Sequence, residues 1–194
     1  MAKKTMDWKF LSGSFYTDVV PVRFAHINQP DEEYDRYAIT VTLDRNDPST
    51  KKLFKTTLDH ENACREEWGL DPVETPSNWL RKGKERKDDS GNWEITFQMK
   101  PQNSKGVDQS PGIANAEGDP DNTVRIWGGD KVVVAFGIAV WGRGDEAGSK
   151  YFLNAVQQVE SSGGPGAINF ANRAQAEDQE DAGTDDTDTG DIPF

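Results

Sequence analysis

Alternation of apolar and polar positions is cleanest over residues 36–43. There Tyr37, Ile39, Val41 and Leu43 share one face, and Arg36, Ala38, Thr40 and Thr42 share the other, the period of a half-buried strand. Residues 92–100 repeat the pattern, with Trp93, Ile95, Phe97 and Met99 alternating with Glu94, Thr96, Gln98 and Lys100. Residues 19–27 read as a strand with Val22 and Phe24 on one face and Arg23 and Ala25 on the other; Pro21 sets its start at an edge or bulge. Residues 131–141 carry few polar side chains, so both faces of that strand are expected to be covered. The small Ala135, Gly137 and Ala139 within it imply close approach or a bulge. Residues 150–160 form the returning strand. The 142–149 segment reads as the hairpin loop, with Gly142, Gly144 and Gly148 supplying unusual dihedrals.

The period changes once. Asp47 and Pro48 have the form of an N-cap and first helical residue. Leu53, Phe54, Thr57, Leu58, Cys64 and Trp68 then recur at helical spacing, and Gly69 ends the run. A helix over about 48–68 is expected. The remaining segments are weaker. Trp8, Phe10, Leu11, Phe15 and Tyr16 suggest a short strand or arm packed on the body; residues 28–35 form an acidic loop, residues 101–122 a long polar loop, and 124–127 a short strand.

Five to six short strands with one inserted helix define a mainly-β chain. The architecture they fit is an OB-fold-like five- to six-stranded barrel. Its helix comes one strand earlier than the usual OB order, which places it between the third and fourth strands. Residues 1–160 would form this body, 161–176 a flexible linker and 177–194 a disordered acidic tail. The tail carries eight carboxylates and no Lys or Arg, too polar to offset the entropy of ordering it.

That tail distorts the charge balance. The chain has 22 basic and 34 acidic side chains; without the tail's eight acids, 26 face 22, a net of −4. A nearly balanced body can hold a basic patch that a pI of about 4.6 conceals. The densest cations are Arg81, Lys82, Lys84, Arg86 and Lys87, two residues after Trp79. Trp79 either presents a stacking face beside phosphate-binding cations or plugs one end of the barrel. Trp141 stands just before Arg143 and is the second stacking candidate. Arg36, Lys100, Lys105, Arg125, Arg143 and Lys150 lie at strand ends or in loops, where they would extend a phosphate-binding groove.

Catalytic signatures are missing from the sequence. His26 and His60 have no Cys or His at metal-ligand spacing, and there is no Walker loop, nucleophile elbow or dinucleotide fingerprint. A non-enzymatic chain without cofactor or metal is expected. Cys64 is expected to be a buried structural thiol. Met1-Ala2-Lys3-Lys4 is not followed by an apolar segment, so no signal peptide is expected; the longest apolar stretch, 132–141, is too short to span a bilayer.

Three features carry a family resemblance: the opening Met1-Ala2-Lys3-Lys4; the 36–43 strand followed by Asn46-Asp47-Pro48 and a helix; and Gly128-Gly129-Asp130-Lys131 leading into strand, hairpin, strand and acidic tail. In this layout the chain resembles the OB-fold single-stranded DNA-binding proteins of tailed bacteriophages. The terminal Asp191-Ile192-Pro193-Phe194 is similar to the tip of bacterial single-stranded DNA-binding proteins, which recruits replication and repair proteins. The resemblance implies a coating protein for single-stranded DNA in the cytoplasm of an infected bacterium. By that analogy Arg36 and the cluster Arg81, Lys82, Lys84, Arg86 and Lys87 gain weight as DNA contacts; Lys100, Arg143 and Lys150 as further phosphate contacts come from the residues themselves, and bases would stack on Trp79, Trp141 or another exposed ring. The tail tip would bind replication and repair proteins such as a polymerase, helicase or primase, or recombination factors. The alternative is a DNA-independent adaptor that uses the tip to capture host replication factors.

Overall fold

The computed structural model describes residues 6–81 and 92–164. Nine strands and one helix follow in the order β1 (Asp7–Phe10), β2 (Phe15–Tyr16), β3 (Val20–Asp31), β4 (Arg36–Leu43), α1 (Pro48–Glu67), β5 (Leu80–Arg81), β6 (Trp93–Met99), β7 (Gly112–Ala114), β8 (Lys131–Arg143) and β9 (Glu146–Glu160). Five of them close a ring in the order β3-β4-β6-β9-β8, with β8 returning to β3. All neighbours in the ring are antiparallel except β6 and β9. The architecture is the expected mainly-β, OB-like one, and α1 enters between the second and third ring strands.

The ring closes around side chains that alternation points inward. Ile39, Val41, Ile95, Phe97, Val132, Val134, Phe136, Tyr151 and Leu153 are all buried. Phe97, Phe136 and Tyr151 meet at centroid distances of 4.7–5.4 Å. The arm of residues 6–16 lies along the ring, β1 and β2 both pairing with β8.

Helix α1 starts as its sequence dictates. The Asp47 side chain accepts from the Ser49 and Thr50 amides at 2.8 and 3.0 Å, with Pro48 in the first turn. It ends in a Schellman motif: Gly69, at φ +70°, donates to Glu66 and Leu70 donates to Arg65. Buried Thr57 bonds the Tyr151 hydroxyl at 2.7 Å and fastens the helix across the ring. Buried Glu61 accepts from the Ser77 amide and hydroxyl, and the Ser77 hydroxyl accepts from the Ser149 amide at 2.8 Å. Helix, 71–79 loop and β9 are thereby joined. Cys64 is buried and free, and burial pushes its thiol up.

Four local expectations are corrected. A register shift between Val22 and Phe24 turns Phe24 outward and Ala25 toward the core, so simple alternation fails in β3. The β8–β9 connection is only Gly144-Asp145, because β8 runs to Arg143 and β9 begins at Glu146. Gly144 alone of the three loop glycines has positive φ, at +70°. Gly142 is a strand residue whose missing Cβ admits the Trp68 ring, 2.7 Å from where that atom would sit. Residues 124–127 are not a strand; Asn28 holds them by donating to Val124 O at 2.7 Å and accepting from Ile126 N at 3.3 Å.

Asp130 closes the far end of the body. Its buried carboxylate accepts from the Trp127 amide, the Gln158 side chain, and the amide and hydroxyl of Ser162. Burial raises its pKa, but these bonds outweigh burial and hold the carboxyl below the usual range.

Candidate nucleic-acid interface

Outward positions of β4, β6 and β9 come together in one groove of about 720 Å³, walled by β1 on one side and by the β3–β4 turn and the loop after β6 on the other. Register explains the convergence. Ala38 lies opposite Gln98, Gln98 opposite Phe152, and Phe152 opposite Gly137. Facing partners share a side of the sheet, so Arg36, Gln98, Lys150 and Phe152 project the same way. Phe10 lies opposite Ala139, which in turn lies opposite Lys150.

Two chemistries meet there. Trp8, Phe10 and Phe152 form an aromatic cluster with centroid distances of 6.3, 5.8 and 5.6 Å. Phe10 is 65% exposed although it belongs to this cluster. At the opposite wall the Asp31 carboxylate accepts from the Glu33 and Tyr34 amides, shaping the turn that presents Tyr34. The Tyr34 ring lies 4.8 Å from the Arg36 guanidinium.

Arg36, Lys100 and Lys150 supply the charge. Arg36 donates to Gln98 at 3.3 Å, and the Lys150 ammonium lies 5.4 Å over the Phe152 ring. None of the three has an ion-pair partner among the described residues, whereas Lys9, Arg23, Lys55, Arg65 and Lys131 are paired with carboxylates. Asp35 is the one acid lining the groove among the described residues. Burial first, then the charges of Arg36 and Lys100, push the Lys150 ammonium below the usual lysine value. Three cations facing one another beside exposed rings are stabilised by an anion, and the rings offer flat apolar faces next to it. A smaller pocket at the start of α1, about 180 Å³, is lined by Asp18, Asp44 and Asp47 and has the wrong sign for phosphate.

Three of the cations singled out by sequence, Arg36, Lys100 and Lys150, are therefore brought together. Arg143 is not; it lines a separate shallow pocket with Asp7, Trp68, Gly142 and Gly144. Arg125 is also elsewhere, its backbone carbonyl accepting from Gln158. Lys105 is in the loop whose residues 101–104 line the groove. Trp141 is half-buried, lies opposite Trp8 in the β1–β8 pair and does not line the groove.

Trp79 requires a correction. It is 5% exposed, donates its indole N–H to the Tyr151 hydroxyl at 2.6 Å, and packs edge-on against Phe54 and Trp93. It plugs the end of the ring beneath α1 and has no free face for a base. Arg81 is in β5, opposite Trp93. Lys82, Lys84, Arg86 and Lys87 lie outside the described residues, as does the tip Asp191, Ile192, Pro193 and Phe194.

Sequence reading missed Trp8, Phe10, Tyr34 and Phe152 as site residues. Lys150 and Phe152 stand two residues apart within β9, a spacing that places a ring and a cation on one side of a strand, and Tyr34 stands just before the strand that Arg36 begins. That spacing was the available signal.

No family model matches the sequence, and no curated protein matches it. Solved structures do share the fold. The structure of gp2.5, a single-stranded DNA-binding protein encoded by bacteriophage T7, aligns with a TM-score of 0.61 at 18% identity, over 90% of this chain and 99% of that one. The C-terminally truncated single-stranded DNA-binding protein from bacteriophage Enc34 aligns at 0.57 and 16% identity, over 77% of this chain and 87% of that one. The same phage protein in complex with single-stranded DNA aligns at 0.57 and 15% identity, over 77% and 88%. The fold is thus the one these phage single-stranded DNA-binding proteins adopt. Among the described residues no helix is long and apolar enough to cross a membrane.

Proposed function

We propose that this chain is a phage protein that binds single-stranded DNA without sequence preference and coats it during replication, recombination or repair in the infected bacterial cytoplasm. The observation that carries this is the groove itself: Arg36, Lys100 and Lys150, without carboxylate partners among the described residues, flank the rings of Trp8, Phe10, Tyr34 and Phe152. Cations that follow a backbone beside rings on which bases stack are the arrangement used for sequence-tolerant binding of single strands. The groove also lies on the second and third ring strands, the face with which OB-folds bind oligonucleotides. The fold shared with the two phage proteins supports the same reading.

Phosphates would run along Arg36, Lys100 and Lys150. The 81–87 cations, carried by the segment that joins β5 to β6, would add charge to the same complex. The acidic 177–194 segment, with Asp191-Ile192-Pro193-Phe194 at its tip, would recruit replication or repair proteins, its terminal aromatic entering a partner's pocket and its carboxylates meeting a basic site. The adaptor reading assigns DNA no role, and a groove whose three cations have no carboxylate partner among the described residues favours the coating reading over it.

Titration of fluorescent oligo-dT at two salt concentrations tests the proposal. Binding that weakens with salt is expected; no binding by micromolar protein at low salt would overturn it. Deleting residues 177–194 separates the two readings. The coating reading expects DNA affinity to be kept or raised, and the adaptor reading expects the only activity to disappear.

A further inference from the structure

The groove is one end of a longer face. The row Gln98–Ala38 continues onto β3, where His26 lies opposite Ala38; one position along, Phe24 lies opposite Thr40 and Thr40 opposite Thr96. The register shift after Val22 is what sets Phe24 on this outer side. Phe24 is 52% exposed, and its ring packs on the His26 imidazole at 4.6 Å and 56°. Thr40 and Thr96 share a 2.8 Å hydrogen bond between the two sites, so the surface there is flat and uncharged. On β6 the next outward residue is Glu94, which pairs with Arg23 at 3.0 Å and ends the row.

We infer that Phe24 and His26 form a second stacking station for an unpaired base of the same strand that occupies the groove. This rests on the single-stranded DNA-binding reading and extends its footprint. From Phe152 to His26 the row crosses three inter-strand steps, about 14 Å. That equals about four nucleotides at the stacked rise of about 3.4 Å, and fewer in an extended strand. A base leaving the groove over Gln98 therefore arrives at an exposed ring already braced from one side. The occupant is nucleic acid because the station lies on the same outward row as the cationic groove; His26 Nε2 faces the Asp31 carboxylate at 3.6 Å and the Thr40 hydroxyl is held by Thr96, so the station offers chiefly the face of the Phe24 ring.

The test compares wild type, Phe24→Ala, Phe24→Trp and Phe152→Ala on dT12 and dT2. Phe24→Ala is expected to lose roughly five- to 150-fold in affinity for dT12 and to stay within about twofold for dT2, which is too short to reach from Phe152 to the station. Phe24→Trp should restore dT12 binding. Phe24→Ala binding dT12 like wild type while Phe152→Ala is impaired would overturn the second station alone. Both variants binding like wild type would overturn the groove reading as well. An equal loss on dT2 and dT12 would also overturn the station, since it would mean that the substitution disturbs the groove.

Discussion

Phe10 and Phe152 bring their ring centroids to 5.6 Å although one lies in the first strand and the other in the last. Only the pairing of β1 with β8, and of β8 with β9, brings them together. Removing one ring should remove a stacking surface and leave the fold intact. Phe152→Ala is expected to weaken oligo-dT binding by about 1–3 kcal/mol. Fluorescence anisotropy reads the affinity, and far-UV dichroism checks that the strands persist.

Lys150 gives the groove a pH signature. Its ammonium is held below the usual value by burial and by Arg36 and Lys100. A bound phosphate stabilises the charged form, so binding takes up a proton at pH values between the free and the bound pKa. Affinity should fall as pH rises through the free Lys150 value. Calorimetry in two buffers of different ionisation enthalpy measures the uptake. Lys100→Gln removes one of the repelling charges and should raise the Lys150 pKa in a side-chain NMR titration. The effect on stability has the opposite direction to that on binding. Between the depressed folded value and the unfolded value near 10.5, the unfolded chain holds more protons, so stability rises with pH there.

Trp79 should behave as core. Trp79→Ala is expected to cost about 3–5 kcal/mol of stability, because it empties the space between Phe54 and Trp93 and removes a donor from Tyr151. Trp79→Phe keeps much of the packing and should cost less. Urea unfolding measures both, and the folded fraction should bind oligo-dT with unchanged affinity.

Asp130 should set part of the acid limit. Its folded pKa is depressed, so its contribution is present above the ordinary carboxylate range and is lost as pH falls through the folded value. Asp130→Asn replaces a charged acceptor that serves Trp127, Gln158 and Ser162 and is expected to cost about 1–3 kcal/mol at neutral pH. Thermal melts from pH 2 to pH 7 should show a shallower acid slope for the variant.

Where period and cap chemistry are local, sequence was a good guide. The β4 alternation and the Asp47–Pro48 helix start appear in the structure at the expected residues. Alternation failed at β3, where one extra residue reverses the faces after Val22. Pro21 signals an edge or bulge nearby, but no residue type fixes where the extra residue falls. The site was half legible. Arg36, Lys100 and Lys150 stood out as isolated cations at strand ends, but their meeting depends on which strands pair. Trp79 misled because a tryptophan next to cations reads as a stacking ring. Only the Tyr151 hydroxyl, 72 positions away, supplies the buried partner its N–H needs. Phe10 and Phe152 read as ordinary strand residues until their strands are placed in one sheet.

The salt dependence of oligo-dT binding by wild type and by the triple variant Arg36→Gln, Lys100→Gln, Lys150→Gln tests the central claim most directly. Each phosphate contact on a single strand contributes a slope of about −0.7 in log K against log salt. The groove account predicts that the triple variant binds more weakly and that its slope is shallower by about 2. Wild-type affinity and slope in the triple variant would contradict it and move the binding surface elsewhere on the protein.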